Sequence, residues 1–316
     1  MHTYNTIAAN DLDSKIVGET AAVVTSCLVT IGPLFYFSAG RRIGSLSVNA
    51  YRIIMAVGFL VLAHAILLGT ILPVATNEQW FWTGMSGVVN FGVGDFAFFA
   101  ALVMLGPRRL VLVTALSPIF ASVGAYLMLG ETIPALGIVG VAITLIGIAV
   151  VVLEEEERSG EEPISKKQRG QGVFLALIAA IGSGVGLVLA KKGIYSDPEM
   201  TLNPLSASLM RTILAALFVW AVVLVAGKLP ELRKGIKNKD GIGQTAAGAF
   251  TGNFVGVIFS MVAVTYTSTG IAQTLMSLPP VLMIPMTWIL YKQRTSFRGI
   301  LGAAMAVIGV SILFLT

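Results

Sequence analysis

Apolar stretches of about 20 residues succeed one another along nearly the whole chain, and that is the length at which a helix crosses the ~30 Å hydrocarbon core of a bilayer. They lie at about 17–38, 48–69, 81–105, 109–129, 134–153, 172–190, 204–226, 242–264, 269–291 and 297–315. A helix satisfies its own backbone hydrogen bonds in lipid, so each stretch reads as a transmembrane helix. Only 12% of the 316 residues are charged and the mean hydropathy is +0.86, whereas a soluble globular protein carries about 25% charge. The expectation is an all-α integral membrane protein of ten transmembrane helices with almost no extramembrane domain, which excludes a soluble enzyme.

The longest polar interruption is Glu154–Gln171, a run of glutamates followed by Lys166, Lys167 and Arg169. It divides the chain into a polar N-terminal segment (1–16), a first five-helix repeat (17–153), a charged linker (154–171) and a second five-helix repeat (172–316). An odd number of helices in each half predicts two inverted repeats, entering the membrane from opposite sides. Pro118, Gly137, Gly140 and Gly147 stand opposite Pro280, Gly299, Gly302 and Gly309 at one offset of 162 residues. Leu46, Ser47 and Arg52 stand opposite Leu205, Ser206 and Arg211 at an offset of 159.

The net charge of +5 bears on topology. Sixteen of the 21 basic residues fall in the loops after the odd-numbered spans, among them Arg41, Arg42, Arg108, Arg109, Lys234 and Lys292; Lys15, Lys191 and Lys192 fall on the other side. Lys and Arg mark the cytoplasmic face. The chain is therefore expected in the plasma or inner membrane, with its linker in the cytoplasm and both termini outside. The polar first sixteen residues lack the pattern of a cleaved signal peptide.

Charged side chains inside spans are costly in hydrocarbon and are functional candidates for that reason. Asp95, in Asn90-Phe91-Gly92-Val93-Gly94-Asp95-Phe96, reads as a proton or cation site, as a counter-charge for a cationic solute, or as a structural carboxylate paired with an arginine. Arg52 and Arg211 sit about two turns into the second helix of each half and read as substrate or gating residues; an Arg52–Asp95 pair is one arrangement among these. Inversion would put the two arginines on opposite sides of the midplane, one near each mouth of a pathway. Glu19, at the start of the first span, suits the positive end of a helix dipole. Glu131, in Leu129-Gly130-Glu131-Thr132-Ile133-Pro134, reads as a structural cap, and His64 as an interhelical hydrogen-bonding histidine.

Gly248, Gly252 and Gly256, and Gly182 and Gly186, recur every four residues and predict close helix packing. Pro33, Pro118, Pro279, Pro280 and Pro285 predict kinks whose freed carbonyls could line a cavity. The uncharged candidates for solute contact are Asn90, Asn253, Tyr266, Gln273 and Trp288. A single cysteine, Cys27, and two histidines cannot build a disulfide framework or a zinc cluster. Walker, His-Glu-x-x-His and Gly-x-Ser-x-Gly motifs are absent. Neither enzymatic activity, metal, cofactor nor nucleic acid is expected.

The succession of Leu116-Ser117-Pro118, Leu129-Gly130-Glu131 and Gly137, Gly140 and Gly147, echoed by Leu278-Pro279-Pro280 and the matching glycines, resembles the EamA-type transporters of the drug/metabolite transporter superfamily. The resemblance covers essentially the whole chain and implies a ten-helix secondary carrier that moves small organic solutes such as metabolites, amino acids or drugs, often by export and in some members against protons. A homodimer is the candidate assembly. Two departures stand out: Lys292-Gln293-Arg294 replaces the Gly-Glu-Thr of the first half, and the charge count places both termini outside where many members look cytoplasmic at both ends. The competing readings are a membrane-embedded enzyme acting on a lipid head group and a scaffold without transport.

Overall fold

The computed structural model describes residues 12–105, 110, 113–159, 165–282 and 297–315. Among them every regular element is helical. Helix α1 is Leu12–Ile43 and α2 Ser45–Leu68. Helix α3 (Asn77–Gly87) runs through a π-helical segment, Val88–Gly94, directly into α4 (Asp95–Leu105). Then come α5 (Ser117–Leu129), α6 (Ala135–Ser159), α7 (Lys166–Ile194), α8 (Pro204–Val225) and the short α9 (Leu229–Gly235). A second continuous rod is made of α10 (Lys239–Gly248), the π-helical segment Ala249–Gly256 and α11 (Val257–Tyr266); α12 (Thr269–Met276) and α13 (Phe297–Phe314) follow.

Seven helices are long and apolar enough to span a bilayer among the described residues, and Ser117–Leu129 and Ala135–Val150 are shorter apolar helices. The count of ten expected from sequence is not reached there. In the predicted span 109–129 the described residues include the shorter helix Ser117–Leu129, preceded by helical positions at 110, 113 and 114, and 269–291 runs past residue 282 into undescribed chain, which also contains Trp288. Helix α1 begins by Leu12, so Glu19 lies two turns inside it and is no terminal dipole residue. The charged linker is helical at both ends, through Ser159 and again from Lys166, where the Ser165 hydroxyl accepts from Gln168 N–H.

Local chemistry explains the boundaries. Thr76 and Gln79 form a reciprocal capping box at the start of α3. The Asn203 side chain caps α8, whose first residue, Pro204, has no N–H to leave unpaired. Gly130 ends α5 at φ 67°, a left-handed position that suits glycine.

Small residues set how closely the helices approach. The ladders of α6 and α13 meet: a side-chain carbon on Gly140 would come within 3.1 Å of the Gly309 carbonyl, and one on Gly147 within 2.6 Å of the Gly302 carbonyl. Residue 140 against 309 and 147 against 302 means that the two helices run antiparallel, and the 162-residue offset makes the two contacts equivalents of each other. Such reciprocity is what a two-fold axis produces. On the second rod, Gly248 lies under the Tyr36 ring and Gly252 faces Gly32, while Gly182 of α7 meets Gly94. Fully buried alanines, including Ala22, Ala190, Ala207, Ala263 and Ala272, gather α1, α7, α8, α11 and α12 around one core. Large apolar side chains such as Leu62, Ile66, Leu127 and Val225 point outward, as a lipid-facing surface requires.

Candidate functional site

The two π segments mark where the central polar residues collect. Each interrupts the third long helix of its half, and Asp95 is the first residue after one as Val257 is after the other, at the same offset of 162. π-Bulges recur at functional sites because the extra residue per turn re-aims side chains and loosens the backbone ladder.

Arg52, seven residues into α2, reaches this region and is satisfied on every nitrogen. Its Nε donates to Asn49 Oδ1 at 2.9 Å, Nη2 is hydrogen-bonded and ion-paired with Asp95 Oδ2, and Nη1 lies 3.4 Å from Asn253 Oδ1 in the second π segment. Tyr36 of α1 donates its hydroxyl to the same Asn253 oxygen at 2.6 Å, and the guanidinium carbon stands 5.6 Å from the Tyr36 ring and 5.5 Å from the Phe99 ring. The Arg52 side chain is buried, whereas Asp95 keeps 22% exposure, so the carboxylate is the more accessible member of the pair. Since Asn253 belongs to the second half and Arg52 and Asp95 to the first, this cluster ties the halves together.

Arg211, seven residues into α8, is 1% exposed. Its guanidinium covers the Phe91 ring at 4.7 Å, with Nη1 3.4 Å from the Met261 sulfur. Through Phe91 it reaches into the first half, as Arg52 reaches Asn253 of the second. Gly87 makes this crossing as close as it is, because a side-chain carbon there would overlap the Arg211 backbone.

The other predicted residues separate. Asn90 packs against Gly186. Gln273 Nε2 donates to Ser117 and Ser183 hydroxyls at 3.0 Å each, bridging α12, α5 and α7. Tyr266 is 39% exposed at the end of α11, next to Gly18 of α1 and away from Arg52. His64 bonds Ser206 at 3.0 Å through Nε2 and meets the Thr70 carbonyl through Nδ1.

At the end of the bundle where α1 starts and α11 stops lies a second charged group. Glu131 pairs with Lys191 at 2.7 Å and accepts the Thr269 backbone N–H at 2.8 Å, so it caps α12 of the other half. Lys191 also donates to the Thr267 carbonyl at 2.7 Å and is buried, because α7 runs to Ile194 and carries it inward. Beside it, the Tyr195 hydroxyl donates to the Thr265 carbonyl at 2.6 Å, and burial pushes its pKa up to about 12, which keeps it a donor at physiological pH. Glu19 is fully buried in α1, with Lys15 3.7 Å away and neither carboxylate oxygen hydrogen-bonded among the described residues.

Sequence reasoning missed Tyr36, Asn49, Phe99, Met261 and Lys191. Asn49 carried a signal, standing three residues before Arg52 on one helix face. Among the described residues no group of three or more His, Cys, Asp or Glu could hold a metal ion.

The model of the EamA-like transporter family matches residues 16–153 and again 170–315. An uncharacterized transporter of Synechocystis sp. is 24% identical over 213 residues, which is 67% of this chain and 60% of that protein. A protein of Arabidopsis thaliana named as a probable magnesium transporter is 32% identical over 89 residues, 28% of this chain and 26% of that one. The chain thus spans less than two thirds of either relative. One solved crystal structure shares the fold with a TM-score of 0.71 at 15% identity, covering 96% of both chains.

Proposed function

We propose, since the chain belongs to the EamA-like transporter family, that this membrane transporter is a secondary carrier that moves a small organic solute by alternating access. The observation that carries the reading is the Arg52–Asp95–Asn253 cluster, an ion pair of the first half whose arginine, with Tyr36, hydrogen-bonds across to Asn253 of the second half where both long central helices turn π-helical. Rocking of one half against the other must make and break such a contact, and the antiparallel meeting of α6 and α13 supports inverted repeats able to rock in that way.

Asp95 is the proposed coupling group, in this reading with protons as the ion, because it is the more accessible member of its pair and can exchange Arg52 for a proton or for the solute. The direction proposed is export, in a plasma or inner membrane, with the basic loops in the cytoplasm and both termini outside, as the positive-inside count favours. Magnesium belongs to the name of the Arabidopsis relative; here the Asp95 carboxylate is already held by Arg52, and no cluster of acids that could take up a divalent cation stands among the described residues.

The test is flux in reconstituted vesicles loaded with a metabolite pool. The wild-type protein is expected to move at least one solute at a pH-dependent rate, and Asp95→Asn to change both rate and pH dependence. Unchanged flux and pH profile in Asp95→Asn would overturn the reading.

A further inference from the structure

The two buried arginines occupy equivalent places and differ in what they hold. Each stands seven residues into the second helix of its half. The 162-residue offset sets Asp95 against Val257, Phe99 against Met261 and Phe91 against Asn253. The contacts follow that correspondence: Arg52 meets Phe99 and, across the halves, Asn253; Arg211 meets Met261 and, across the halves, Phe91. Where Arg52 has an aspartate, Arg211 has the position of a valine.

The consequence is specific to particular atoms. On Arg52, Nε is bonded to Asn49 and Nη2 to Asp95. On Arg211 the same two nitrogens, Nε and Nη2, are buried and have no hydrogen-bond partner among the described residues. Ser208, which corresponds to Asn49, turns its hydroxyl to the carbonyls of Pro204 and Val257 instead. Nε–H and the adjacent Nη2–H lie along one edge of the planar guanidinium, the edge that grips both oxygens of a carboxylate in parallel.

Charge gives the same answer. Arg52 and Asp95 neutralise each other, whereas among the described residues no carboxylate forms a salt bridge with the buried Arg211. A buried unpaired cation is strongly unfavourable, and one monoanion removes the imbalance. Because Asp95 is held by Arg52, an anion can be bound beside it without meeting a bare carboxylate. The Phe91 ring and the Met261 thioether supply apolar surface that suits a carbon skeleton better than a hydrated inorganic ion.

We infer that Arg211 is the anion-binding residue of this carrier, its Nε/Nη2 edge clamping the carboxylate of a small, singly charged organic acid in the place that Asp95 fills at Arg52. This deepens the carrier reading and rests on it for its effect on flux, while binding tests it separately.

The experiment measures the thermal unfolding midpoint of the purified full-length protein against a panel of aliphatic and aromatic monocarboxylates, their amides, primary amines and inorganic phosphate, with flux of the same compounds in vesicles. At least one monocarboxylate is expected to raise the midpoint while its amide does not. Arg211→Met is expected to abolish that shift, and Arg211→Lys, which keeps the charge and guards against loss of folding, to weaken binding about tenfold or more because an ammonium has no two-donor edge. The inference is overturned if no monocarboxylate binds, if amides or amines bind as well, if phosphate is preferred, or if Arg211→Lys binds like the wild type. Carboxylate binding without any flux would sustain the inference and sink the carrier reading; flux of other solutes without carboxylate binding would do the reverse.

Discussion

Replacing Glu131 by Gln probes whether the end of the bundle near the start of α1 opens only when the Glu131–Lys191 contact breaks. At 2.7 Å, an effective dielectric of ~20 gives a direct attraction of about 6 kcal/mol before any desolvation is counted. Desolvation offsets much of this, and removing one partner of a buried pair costs about 3–5 kcal/mol because the other charge is stranded. The side chains are 7% and 18% exposed, so the pair is largely but not wholly dehydrated. In Glu131→Gln the new amide oxygen would still accept the Thr269 N–H, and Lys191 would keep the Thr267 carbonyl. The remaining penalty is about 2 kcal/mol, which at ~1.4 kcal/mol per factor of ten is a roughly 30-fold shift toward the open arrangement. The assay places a cysteine at Thr267, a buried position, in a Cys27→Ser background that has no other thiol. Labelling by a membrane-impermeant maleimide is expected to accelerate by that order in Glu131→Gln and to return toward the original rate in the exchanged pair Glu131→Lys with Lys191→Glu. Equal labelling rates in wild type and Glu131→Gln would refute the reasoning.

Gly147→Ala is expected to lower the unfolding midpoint in detergent, since its methyl group would come within 2.5 Å of the Ala306 nitrogen and force α6 from α13 at a cost of about 1–3 kcal/mol or more. An unchanged midpoint would contradict that close crossing. Asn49→Ala removes the acceptor of Arg52 Nε and is expected to cost about 1.5–3 kcal/mol, the range for a hydrogen bond to a charged group; the check is the same midpoint, with Asn49→Asp, which restores an acceptor, as the recovering variant.

Which features could be read from the sequence follows from what each owes to local chemistry. The helices were legible because hydrocarbon imposes both their length and their composition. The correspondence of the halves survived in Gly140, Gly147, Gly302 and Gly309, since these meet one another backbone to backbone and tolerate little else. Arg52, Arg211 and Asp95 stood out because charge is costly in a span, yet the difference in what the two arginines contact lies with Asn49, Asn253, Phe91 and Met261, whose chemistry is ordinary and whose positions are set by tertiary packing. The π segments leave no mark in composition, because a shift from i→i+4 to i→i+5 bonding reflects what the helix packs against. Lys191 looked like a loop cation until α7 proved to extend through Ile194 and bury it. Tyr266 and Gln273 were reasonable polar candidates that the fold sends elsewhere, to the α1/α11 end and to the Ser117–Ser183 bridge.

The central claim, that this protein carries a solute by alternating its halves around the Arg52–Asp95 site, is tested most directly by trans-acceleration in reconstituted vesicles. Preloading the vesicles with a transported solute is predicted to raise the initial uptake rate of the labelled compound several-fold, because the loaded carrier returns faster than the empty one, and Asp95→Asn is predicted to lose that acceleration. Uptake that is indifferent to preloading in the wild type, or acceleration that persists undiminished without the Asp95 carboxylate, would contradict the account.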